Sequence, residues 1–148
     1  MKSALPRCRL PPGRNALSKQ RFSTWFFVAP ADDGQDDEWV TADGSEVIAH
    51  RWVAPAVALG MQERHEILLV PPTYVTLSQL GRYGDVASAL AAADPRYFAT
   101  EIRLVGDTRV CLWAGDAAYG GGQLATDGPR HRLLMDEANG WRYFNTVG

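Results

Sequence analysis

Glu63 and Glu66, in "ERHE", stand three residues apart, which places both carboxylates on one face of a helix. Such a pair can hold a divalent cation, but a lone E-x-x-E brings no further ligand, and the plainer reading is a solvated face. His50, His65 and His131 offer imidazole for zinc. None stands at H-x-H or H-x-x-x-H spacing, so they read as satisfied or exposed side chains. Asp32, Asp33, Asp36 and Asp37 supply the hard oxygen donors that Mg²⁺ and Ca²⁺ prefer. They lack the spacing and closing glutamate of an EF-hand and read as part of a solvated loop. "GGG" at 120–122 has the composition of a phosphate loop, but no Lys-Ser/Thr or helix follows it, and it reads as a mobile loop. Ser45, Ser78 and Ser88 sit in no G-x-S-x-G elbow, and neither Cys8 nor Cys111 has a base nearby. Spacing alone names no reaction.

The elements that must position these residues are easier to read. Residues 1–20 carry five basic residues, three prolines and no acidic residue, with no sustained period, and are expected to form an extended arm. "RFSTWFFVA", 21–29, is apolar on both alternation sets and predicts a strand central to a sheet and covered on both sides. Residues 30–44 hold six acidic residues and two glycines and read as a solvated loop. "SEVIAHRWV", 45–53, alternates as a second strand. Pro55 then opens a helix over "PAVALGMQER", with Val57, Ala58 and Met61 at helical spacing. Pro71 and Pro72 stop the chain, and Thr73 is expected to cap a helix bearing Val75, Leu77 and Leu80. Asp85 caps a short helix over "VASALAAA", and Asp94-Pro95 marks a turn. "YFATEIRLV" and "TRVCLWA" pair about Gly106-Asp107. "RHRLLM" and "WRYFN" pair across "DEANG". The order predicts an α/β or α+β fold.

Composition bounds the rest. A chain of 148 residues is one domain by length, large enough to bury roughly 70% of the surface its unfolded form exposes. Hydrophobic residues at 46% and charged residues at 22% are those of a globular protein. A net charge of −2 and a pI near 5.9 argue against nucleic acid or an anionic membrane as the main partner. Two cysteines without a C-x-x-C pair point to a reducing compartment, a single disulfide being the alternative. No apolar run approaches the ~20 residues of a membrane span, and Pro6, Pro11 and Pro12 interrupt any signal-peptide core. The expected location is the cytosol.

"RFSTWFFVA", "SEVIAHRWVAPAVAL" and "LLVPPTYVTLSQL" stand in the order and spacing of the second half of a Nudix hydrolase. They resemble the branch of coenzyme A diphosphatases. Arg21, Phe22, Thr24, Phe26 and Phe27 match its aromatic strand, and Glu46 and Trp52 match the next strand. Pro55, Ala58 and Leu59 match one helix, and Pro71, Pro72, Thr73, Thr76 and Leu77 the start of another. The resemblance covers about residues 15–144. It implies a Nudix-like mixed sheet with flanking helices, incomplete on its N-terminal side, followed by C-terminal hairpins. By that division 1–20 are the arm and 21–148 a partial hydrolase domain.

It also implies Mg²⁺- or Mn²⁺-dependent hydrolysis of a nucleoside-diphosphate-linked small molecule, such as coenzyme A or an acyl derivative. The family box G-x5-E-x7-R-E-x-x-E-E-x-G, whose glutamates hold the metals, is absent: the chain has six glutamates and no two are adjacent. In the family the box precedes the Arg-Phe strand, and here twenty residues precede it. The expectation is a Nudix scaffold inactive as this chain, with a non-catalytic binding module, or a fragment from a misplaced start, as the alternatives. Strong metal binding is not expected. Glu46 is the one metal-site candidate: it either ends a strand in solvent or faces the cleft and assists metal or water from outside the box. The aromatic strand at 21–29 is expected to expose an edge suited to pairing with a second copy.

Overall fold

A computed structural model describes residues 3–8, 24–30, 49, 51–94 and 96–147, with side chains from residue 24 onward. Ten elements follow in order: β1 (Ser3–Cys8), β2 (Thr24–Val28), α1 (Pro55–Glu63), α2 (Pro71–Leu80), α3 (Val86–Ala91), β3 (Tyr97–Phe98), β4 (Glu101–Val105), β5 (Thr108–Leu112), β6 (His131–Asp136) and β7 (Gly140–Asn145). The described residues form an α+β fold with two sheets. One has three strands in the order β2-β1-β3; the other is a four-stranded meander, β4-β5-β6-β7. No helix among the described residues is long and apolar enough to cross a membrane.

The meander follows from its turns. Gly106 takes φ +57° between β4 and β5, and Gly140 takes φ +78° where β7 begins, conformations glycine adopts without a Cβ penalty. Both expected hairpins form, joined through β5–β6. Tyr97 and Phe98 do not extend β4, however. They pair in parallel with Arg7 and Cys8 in the other sheet.

β5 is the strand covered on both faces, which the sequence assigned to residues 21–29. Cys111 and Trp113 face α2 and join Tyr74, Val75, Phe98 and Leu133 in one core; Val110 and Leu112 pack on the other side with Ala118. Among the described residues β2 is instead an edge strand. Trp25 is 45% exposed and Phe27 62%, their rings stacked with centroids 6.2 Å apart, while Phe26 turns inward. Residues 3–8, expected as a loose arm, are the strand between β2 and β3. Register with β2 slips by one residue between Ala4 and Arg7, around Pro6, whose missing N–H cannot join the ladder.

The helices form where expected and differ at their ends. α1 starts at Pro55, and Asp85 caps α3 by accepting Ser88 N–H at 2.7 Å. α2 starts at Pro71, not after Thr73: both prolines occupy the first turn, where N–H groups have no intrahelical acceptor to lose. In the predicted strand at 45–53, Ala49 and Arg51–Val53 are irregular and Trp52 is 60% exposed; residues 45–48 and 50 lie outside the described residues.

Candidate ligand pocket

Between α2, the meander and Phe26 lies an apolar cavity of about 170 Å³. Pro71, Pro72 and Val75 form its helix side, and Cys111 and Trp113 its sheet side. Phe98 meets Trp113 edge-on, centroids 5.6 Å apart, and Trp113 Nε1 donates to Thr100 Oγ1 at 2.8 Å. Each buried polar atom of this wall thus has a partner. Thr76 and Gln79, one helical turn apart on α2, line both this cavity and a second, polar cleft of about 80 Å³. Arg82, Asp94 and Arg96 line that cleft. Arg96 pairs with Asp94 at 3.3 Å, whereas the Arg82 guanidinium has no hydrogen bond or ion pair among the described residues. The cleft therefore carries net positive charge beside an apolar cavity.

Behind Gln79 runs a buried polar chain. Gln79 Nε2 lies 3.1 Å from Tyr143 Oη, Tyr143 Oη lies 3.1 Å from His131 Nε2, and His131 Nδ1 lies 3.0 Å from the Ala114 carbonyl. Phe98, Trp113 and Tyr143 surround the imidazole. Burial pushes His131 below the ordinary imidazole value; the Ala114 carbonyl opposes this, and Arg96 and Arg82 add to it. The ring is neutral. Burial likewise raises the Tyr143 phenol above its ordinary range.

The glycine-rich segment after Trp113, expected to be mobile, is tied down. Asp116 takes Arg132 through two bonds, Nε to Oδ2 at 2.7 Å and Nη2 to Oδ1 at 2.6 Å. It also accepts the N–H groups of Ala118 and His131, each at 2.8 Å. Burial alone would raise its carboxyl, but Arg132 and those N–H groups hold it at about 2. Glu101 accepts Arg103 and the Gly120 N–H, and Arg103 reaches the Ala118 carbonyl at 2.6 Å. A Cβ at Gly122 would stand 2.6 Å from the Ala117 carbonyl, so only glycine fits there.

Among the described residues, those singled out by spacing do not converge. α1 ends at Glu63, so Glu66 lies past the helix, pairs with Arg64 at 2.6 Å, and shares no helical face with Glu63. His65 is exposed at φ 57° in the turn after α1. Ser78 Oγ bonds back to the Tyr74 carbonyl, and Ser88 Oγ to that of Asp85. Glu46, His50, Ser45, Cys8 and the aspartates at 32–37 have no described side chains. Among the described residues no three His, Cys, Asp or Glu groups could hold a metal ion, so those residues supply no donor set for Mg²⁺ or Mn²⁺. Sequence reading missed Asp116 and Gln79, and left open whether His131 is satisfied or exposed; it is buried with both ring nitrogens partnered. The period-three polar run Thr76, Gln79, Arg82, the first two on α2 and the third just past its end, was the available signal.

No family model, curated protein or solved structure matches the chain.

Proposed function

We propose that this chain is a small-molecule binding unit on a Nudix-type scaffold. It holds a nucleoside-diphosphate-linked compound, coenzyme A or an acyl derivative, without hydrolysing it alone. The observation that supports the binding half is the junction of apolar cavity and Arg82–Arg96 cleft, which suits a ligand with an apolar arm and a charged group. The sequence motifs that resemble coenzyme A diphosphatases supply the ligand class. The absence of paired glutamates from the sequence supports the second half, since diphosphate hydrolysis needs cations to neutralise charge and activate water. The two widely spaced cysteines, which form no C-x-x-C pair, favour action in the cytosol.

The test is calorimetry with coenzyme A and ADP-ribose, and a product assay with Mg²⁺ or Mn²⁺. Saturable one-to-one binding without release of a phosphorylated product is expected. Metal-dependent product release above a mock preparation, abolished by chelator, would overturn the inactivity; no binding of either compound would overturn the ligand class.

A further inference from the structure

Gln79 sits on the seam between cavity and cleft, and which end of its amide faces Tyr143 is fixed from a distance. The Ala114 carbonyl can only accept, so His131 Nδ1, 3.0 Å away, carries the ring proton. The neutral ring then has a bare Nε2, which accepts from Tyr143 Oη at 3.1 Å. With that proton committed, the phenol oxygen accepts from Gln79 Nε2, also at 3.1 Å, and shares its remaining acceptor capacity with the Asn145 side chain, whose Oδ1 already accepts the Val147 N–H. Oε1 is the end left over. It makes no hydrogen bond among the described residues, and Gln79 lines both spaces. An acceptor held in one orientation, with an apolar cavity on one side and a cationic cleft on the other, discriminates among ligands by what they carry at the join.

We infer that the site takes a small amphipathic anion with three parts in order: an aromatic or acyl group, a hydrogen-bond donor, and an anionic head. The cavity holds the first, Gln79 Oε1 accepts from the second, and Arg82 and Arg96 face the third. This rests on the binding reading above and narrows it. Cavities of about 150 Å³ admit a benzene ring, so a benzoyl group suits a space of 170 Å³. His131 and Tyr143 act as positioning residues through Gln79.

The probes are N-benzoylglycine, its N-methyl derivative, which lacks the donor, and N-methylbenzamide, which lacks the anion. Binding is followed on the Trp113 indole and Gln79 side-chain amide signals in ¹H–¹⁵N spectra. The expected result is N-benzoylglycine binding about tenfold tighter than its N-methyl derivative, the size of one hydrogen bond. Gln79→Met should erase that preference and leave the N-methyl probe's affinity unchanged. Tyr143→Phe should shift the Gln79 amide signals without ligand and reduce the preference. It carries the same test should Gln79→Met not fold. Arg82→Ala should weaken both anionic probes alike and spare N-methylbenzamide. Equal binding of the two glycine derivatives, a preference that survives Gln79→Met, or indifference to Arg82→Ala would overturn the inference. If coenzyme A binds and the probes show no preference, the donor requirement falls and the binding reading stands. If neither coenzyme A nor any probe moves the Trp113 signal, both fall.

Discussion

Asp116 ties the glycine-rich segment after Trp113 to β6. Its carboxylate accepts two bonds from Arg132 and two from backbone N–H groups, with its own side chain fully buried. Removing the charge strands Arg132, itself 8% exposed, and a buried unpaired charge is costly. Asp116→Asn should lower stability by about 3 kcal/mol, read as a shifted urea midpoint at unchanged slope. Replacing both partners by leucine should not recover the loss, because the Ala118 and His131 N–H groups would remain without an acceptor. The pH dependence has a definite sign. The native carboxyl titrates at about 2 against an ordinary 3.8, so its contribution is complete above the unfolded value. About 2 kcal/mol should be lost as pH falls from near 4 through 2, and Asp116→Asn should flatten that part of the stability–pH curve.

At the scale of elements, β2 invites association. Among the described residues it is an edge strand with Trp25 and Phe27 on an exposed face, and an apolar edge is a template for another chain. Dimers or larger species are expected by light scattering at moderate concentration, and Phe27→Lys should shift the distribution towards monomer. A monomeric wild type would remove this expectation. The helices and the meander were legible because their signals are local: Pro55, Asp85, the Gly106 turn and the turn before Gly140 each act within a few residues. The sheet order was not. Aromatic residues on both sets of 21–29 indicate apolar surface without saying whether neighbours cover it, and the strand that is covered, β5, carries Arg109 among its apolar residues. Pro71 and Pro72 were read as a stop because proline ends one element as readily as it begins another. The pocket was illegible for the same reason as Asp116–Arg132: its parts meet only after β5 and β6 have paired and α2 has packed on them.

At the scale of the whole molecule, the cores formed by the described residues lie in and around the meander. Leu133 and Leu112 are fully buried, and α2 contributes Tyr74 and Val75, whereas β2 contributes no fully buried side chain. Stability should be distributed accordingly. Native-state hydrogen exchange should show amides of β5 and β6 exchanging only through global unfolding, and those of β2 through smaller openings. Leu133→Ala should cost 2–5 kcal/mol and speed exchange throughout the meander. Uniform protection across β2 and β5 would contradict this.

The parallel pairing of β1 with β3 also sets a timetable. Cys8 lies beside Phe98, a separation of about 90 residues, while every strand of the meander pairs with its neighbour in the chain. During translation at ~5–20 residues per second, β1 emerges first and waits roughly 5–20 s before its β3 partner is made. β1 can meet β2 soon after both are made, but the third strand seen among the described residues, Tyr97 and Phe98, leaves the ribosome much later. The nascent chain therefore carries the aromatic surface of β2 without β3 while the residues between Val28 and Tyr97 are made. That interval is when a chaperone that recognises extended apolar segments has the longest access to it.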